Sequence, residues 1–99
     1  MDSKFLNIAI LINTAANGGK AKSKWNKIQD DVIALFPNKA IVKEYEPPFN
    51  TKKYLQNLIK DYKINCFISA GGDGSLNWIL NVLIDINGKA LENYYLGAI

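Results

Sequence analysis

FISAGGDGSLNW, residues 67–78, joins an apolar run to a run with helical spacing through three glycines and one aspartate. A simple turn needs one glycine, or two. Three of them around Asp73 indicate that some other group approaches the backbone closely, because a residue without Cβ can take positive φ and leaves its N–H groups accessible. The stretch is a strand, a bend and a helix in that order, and the same step recurs along the chain.

Upstream of the bend, INCFISA (64–70) is solidly apolar, as suits a strand buried on both faces. Downstream, Leu76, Ile79, Leu80, Leu83 and Ile86 fall at helical spacing from Ser75 to Ile86, and Gly88 ends the run. YYLGAI (94–99) begins another strand. Before residue 64, Thr51 is placed to cap a helix whose stripe is Tyr54, Leu55, Leu58, Ile59 and Tyr62. Pro47-Pro48 separates it from a strand at KAIVKEY (39–45). A helix from Lys20 to Phe36 carries Ala21, Trp25, Ile28, Val32 and Phe36 on one face and is stopped by Pro37. FLNIAILIN (5–13) is the first strand. The order βαβαβαβ predicts an α/β fold: a three-layer α/β/α arrangement with a mainly parallel sheet, right-handed crossovers and helices on both faces.

At 99 residues the chain is at most one domain. Its 48% apolar content is ordinary for a globular protein. No run of about 18 apolar residues offers a transmembrane segment, and no secretion signal is visible at the start. The one cysteine, Cys66, lies in an apolar run and reads as a small core residue of a cytoplasmic, reducing compartment. All twelve basic residues are lysine, and the net charge is +3. Without arginine the bidentate reading of phosphates and bases is absent, which disfavours specific nucleic-acid binding. Histidine is missing as well. That removes a Ser-His nucleophile pair and almost any zinc site.

In parallel α/β sheets, ligands bind beyond the carboxyl ends of the strands. Two such ends carry unusual sequence: NTAANGGKAKSKW (13–25) after the first strand and GGDGS (71–75) after the third. Glycines there expose backbone N–H groups, and each following helix turns its unpaired N–H groups and positive dipole end to the same spot. Both features favour a phosphate. Lys20, Lys22, Lys24 and Lys27 stand in the first turns of a helix, where a cation opposes the dipole unless a polyanion is bound; Lys22 and Lys24 read better as a solvated face. The Walker A pattern fails, since Ala21 follows Gly19-Lys20 and Thr14 occupies the first glycine position. The dinucleotide fingerprint fails too: Gly72 and Gly74 fit, but Asn77 takes the sixth position. Asp73 would repel a phosphate unless it holds Mg²⁺ or takes a proton from an attacking hydroxyl. Its plain alternative is a helix cap or turn residue, a role for which Ser75 is also available.

Gly71-Gly72-Asp73-Gly74-Ser75 with Asn77 resembles the glycine-aspartate signature of the diacylglycerol kinase catalytic-domain family, usually Gly-Gly-Asp-Gly-Thr, an apolar residue, then Asn. The run from Asn13 through Gly18 and Gly19 resembles that family's opening motif of Asn-Pro and small residues. Thr14 replaces the usual proline, Asn17 stands where glycine is common, and Ser75 keeps the hydroxyl of threonine. Trp78 stands where bacterial lipid kinases usually carry glutamate; lying off the apolar stripe of its helix, it also reads as a packing residue against a neighbouring segment.

The resemblance implies transfer of the γ-phosphoryl of ATP to a lipid hydroxyl with Mg²⁺. Asn13, Gly18, Gly19 and Lys20 would frame the nucleotide, and Gly71, Gly72, Gly74, Ser75 and Asn77 would hold its phosphates. Asp73 would organise the metal or help to activate the hydroxyl. The partner is then a lipid at a membrane surface, met by a cytoplasmic protein in peripheral contact with it. Residues 1–99 are expected to be the N-terminal part of the nucleotide-binding domain, followed in relatives by a Gly-Thr-Gly-Asn loop and a β-rich domain. On that reading they are inactive alone and prone to self-association through exposed apolar surface. A complete small protein with an edge strand at its end is the alternative. For function, the alternatives are a NAD-kinase-like or other soluble-substrate kinase and a non-catalytic nucleotide- or partner-binding module.

Overall fold

The computed structural model describes residues 7–35, 40–46, 51–88 and 94–99, without the side chains of Thr51, Asp73 and Asn87. Phe36, Pro37 and Pro47-Pro48, which carry two of the expected stops, lie outside these residues. The elements run β1 (Ile8–Asn13), a 3-10 turn (Ala16–Gly19), α1 (Lys20–Ala34), β2 (Ile41–Tyr45), α2 (Thr51–Tyr62), β3 (Cys66–Ala70), α3 (Gly72–Asn87) and β4 (Tyr95–Ala98).

Four parallel strands pair in the order β2-β1-β3-β4. Burial follows that order. β1 is central and apolar at every position from Ile8 to Ile12, because both of its faces are covered. β2, at the edge, alternates: Ile41 and Lys43 are half-buried, Val42 and Glu44 exposed, Tyr45 buried.

The strands' period of two sorts the core into two layers. Ala9, Leu11 and Phe67 pack with Leu55 and Leu58 of α2 and Ile79 and Leu83 of α3. Ile8, Ile10, Ile12, Cys66 and Ala70 pack with Trp25 of α1, which is 1% exposed. So α1 covers one face and α2 and α3 the other, which is the expected three-layer arrangement. Each such buried Ile, Leu or Phe contributes roughly 1.5–3 kcal/mol.

Two departures from the expected stripes are informative. Tyr62, the last residue of α2, is 61% exposed, because the chain turns away at left-handed Lys63. Residues 72–74 belong to α3, three residues before the expected start at Ser75. Glycine's weak helix propensity concealed that first turn in the sequence.

After β1 the chain crosses to β2 on one side, and after β3 it moves on to β4 on the other. The neighbouring strands β1 and β3 therefore send their helices to opposite faces. A crevice opens outside their carboxyl ends, at Asn13 and Ala70.

Candidate active site

The bend after β1 is long and tied down at its start. Thr14 donates its N–H (2.9 Å) and its hydroxyl (3.1 Å) to the carbonyl of Tyr45 at the end of β2. The side-chain oxygen of Asn13 accepts the N–H of Ala15 at 3.1 Å. Asn17 (φ 55°), Gly18 (φ 65°) and Gly19 (φ 91°) are left-handed in succession, and α1 begins at the next residue. Asparagine enters this region more readily than most residues, so the bend survives its presence at 17. Consecutive residues of this kind turn neighbouring N–H groups toward one concavity, an arrangement that attracts anions.

The bend after β3 is a single residue, Gly71 (φ 153°), followed by Gly72 (φ 83°) at the start of α3. Gly71 occupies the cap position, so neither Asp73 nor Ser75 caps the helix. Asp73 is the second helical residue, with Gly72 before it and Gly74 after it. Ser75 is 6% exposed and donates its hydroxyl back to the carbonyl of Gly71 at 3.1 Å.

The two bends touch. The amide nitrogen Nδ2 of Asn13 donates to Oγ of Ser75 at 3.1 Å, across 62 residues of chain. A Cβ on Gly71 would lie 2.7 Å from that Oγ and 3.0 Å from Cβ of Asn13. No other residue fits there without displacing one of them.

Asn17, Gly71 and Gly72 form a ridge with a hollow on each side. The hollow on the α3 side, about 370 Å³, is bounded by Asn13, Gly74, Ser75 and Trp78. The one on the α1 side, about 220 Å³, has Lys20 and Lys24 over a floor that includes Trp25, Ile28 and Ile99. Among the described side chains, which do not include that of Asp73, no carboxylate lines either hollow. Lys22 turns away instead and pairs with Glu44 of β2. The indole of Trp78 packs on Tyr45, ring centroids 5.8 Å apart, so Trp78 is both a packing residue and a wall of the crevice. Burial pushes the pKa of the Tyr45 phenol up, with a hydrogen bond to Ser75 pulling the other way. Burial alone raises that of the Cys66 thiol, consistent with an unreactive core cysteine.

Of the residues singled out in the sequence, Asn13, Gly71, Gly72, Gly74 and Ser75 meet at one hollow and Lys20 lines the other. Gly18 and Gly19 shape the first bend without lining either. Asn77 is exposed on α3 and lies outside both. Sequence reasoning missed Asn17 as the wall shared by the two hollows; its signal was an asparagine standing beside two glycines. It also favoured a solvated face for Lys24, which lines the hollow on the α1 side.

The profile of the Diacylglycerol kinase catalytic domain matches residues 7–98. The chain belongs to that family. No curated protein and no solved structure matches it significantly. Membership makes this a kinase-type catalytic domain, and the diacylglycerol kinase catalytic family generally uses ATP and Mg²⁺. The departures from the family's usual motifs now have local explanations. Thr14, where proline is usual, makes a backbone N–H bond to Tyr45 that proline cannot make. Ser75 uses the hydroxyl that it shares with threonine.

The donor set suits Mg²⁺ bound to a nucleotide. Mg²⁺ is commonly held through one or two carboxylates together with substrate phosphates. The first turn of α3 supplies one carboxylate residue, Asp73, between two glycines that line the crevice. Among the described residues no three His, Cys, Asp or Glu side chains form a dedicated metal cage.

Proposed function

We propose that this domain binds the triphosphate of ATP at the β1/β3 crevice and transfers the γ-phosphoryl group to the hydroxyl of a lipid. The observation that carries the reading is the convergence of two left-handed backbone segments and two helix starts, at Lys20 and Gly72, on one crevice of a diacylglycerol kinase catalytic domain. Backbone N–H groups around Asn17, Gly18 and Gly19 and around residues 71–74 bind phosphate oxygens. Lys20 adds a positive charge from the far side of the ridge. In phosphoryl transfer, protein groups act chiefly by positioning and by neutralising charge, and two opposed sets of amides are suited to that.

Asp73 is the one acidic residue in the first turn of α3, directly after the second bend, and we assign it the metal-organising or hydroxyl-activating role. Asp73 would hold Mg²⁺, which would supply positive charge to offset that of the phosphates. The acceptor is a lipid presented at a membrane surface. No helix among the described residues is long and apolar enough to cross a membrane, and the domain meets its substrate as a peripheral protein.

The test is phosphoryl transfer by the full-length protein from labelled ATP, with Mg²⁺, to a panel of lipid alcohols and soluble alcohols. The expected result is a labelled lipid, with turnover reduced by at least about a hundredfold in Asp73→Asn, the size of effect seen when one preorganised electrostatic group is removed. Labelling of soluble acceptors alone would overturn the lipid assignment. An unaltered Asp73→Asn enzyme would overturn the role of Asp73.

A further inference from the structure

We propose that Ser75 does not ligate the nucleotide, and that it acts with Asn13 as a latch that fixes the distance between the two phosphate-binding bends, leaving Asn13 one N–H on the hollow. This rests on the phosphoryl-transfer reading above and assigns different work to two of the site residues.

The hydrogen-bond inventory carries the inference. A serine hydroxyl has one proton to donate. That of Ser75 goes to the carbonyl of Gly71 at 3.1 Å, and the oxygen accepts Nδ2 of Asn13 at 3.1 Å and meets the phenol of Tyr45 as a third polar neighbour. The side chain is buried, with no donor left for an anion. The oxygen of Asn13 is occupied by the N–H of Ala15 at 3.1 Å, which sets which way round its amide lies. The series therefore runs without a break from the first bend, through Asn13 and Ser75, to the residue on which the second bend turns.

Gly71 gives an independent reason to regard the contact as built in. The space where its Cβ would stand is filled by Oγ of Ser75 and Cβ of Asn13, 2.7 and 3.0 Å away. Absence of a side chain at 71 is what lets the two sides close. What the latch aligns is backbone: the N–H groups of both bends, and with the second bend the residue Asp73. Misplacing a reacting group by about 1 Å can cost on the order of a hundredfold in rate. A hydrogen-bonded pair that holds two backbone segments in register thus acts on the transition state without touching it.

The experiment uses the full-length protein as wild type, Asn13→Ala, Ser75→Ala, the double variant and Ser75→Thr. kcat and the KM for ATP are measured with Mg²⁺ and the best lipid acceptor, and amide hydrogen exchange is followed over residues 71–76. Each single alanine is expected to lower kcat about tenfold with KM within about threefold, because alignment is lost and not a phosphate contact. The double variant should be no worse than the poorer single one, since either change opens the same latch. Ser75→Thr, which keeps the hydroxyl, should restore kcat to within about threefold of wild type. Exchange at residues 71–76 should quicken in Ser75→Ala. Losses that multiply in the double variant and fall mainly in KM would mean that the two side chains bind phosphate separately, and the proposal fails. Unchanged kinetics with unchanged exchange would also overturn it. Should the wild-type protein transfer no phosphate, the functional reading falls, and the exchange experiment alone then decides the latch.

Discussion

Between β1 and α1 the chain takes residues 14–19 to turn; between β3 and α3 it takes Gly71 alone. The glycines of the two bends answer to different constraints. A Cβ added at Gly18 or Gly19 would meet nothing within 4 Å, so these positions are governed only by their positive φ. At Gly71 positive φ is combined with a filled space, because Ser75 and Asn13 close over it. The first bend is anchored from outside, through Thr14 and the carbonyl of Tyr45. The second is anchored from inside its own helix and against the first. The long bend is therefore a shaped loop that tolerates change, while the short one is closed over by side chains and leads straight into the turn of α3 that carries Asp73.

That contrast is open to attack in order of expected effect. Asp73→Asn should lower turnover by at least about a hundredfold while leaving stability nearly unaltered. If a change in the first bend, such as Gly18→Ala, costs turnover as much, the division of labour is wrong. Gly71→Ala combines backbone strain with overpacking and should cost about 3 kcal/mol of stability in urea unfolding. Gly18→Ala, with open space around it, should cost about 1 kcal/mol. Equal losses at the two glycines would erase the distinction between packed and open bends. Thr14→Val removes one hydroxyl bond and leaves the N–H bond to Tyr45, for a loss of about 0.5–1 kcal/mol.

The mildest effect is expected from pH. Burial favours the neutral phenol of Tyr45, whose folded pKa is raised above the ordinary 10.0. The stability it contributes is complete below that value and is lost as pH rises through the raised one. Tyr45→Phe should flatten that alkaline decline in unfolding curves recorded with pH.

Much of this was legible in the sequence because apolar periodicity reports local geometry directly. Ala21, Trp25, Ile28 and Val32 formed the buried face of α1 as their spacing predicts, and the uninterrupted apolar run of β1 marked a strand covered on both sides. The start of α3 was hidden, since glycines at 72 and 74 argue against a helix by propensity. There the turn is closed by a hydrogen bond from Ser75 back to Gly71 and not by residue preference. The site residues on the two motifs were recognisable by type. Their work was less so: serine and asparagine beside glycines look like phosphate ligands, and nothing in their order along the chain reveals that they bond to each other. Asn77 shows the opposite case, a motif position that is exposed on α3 and lines neither hollow.

By itself the sequence determined the alternation of strands and helices, the parallel sheet and the family, because each follows from patterns a few residues long. Tertiary structure decided which strands became neighbours and which bend was packed and which open. It also brought Asn13 to Ser75. Those outcomes depend on contacts between segments some sixty residues apart, whose distances are set only when both faces of the sheet are covered.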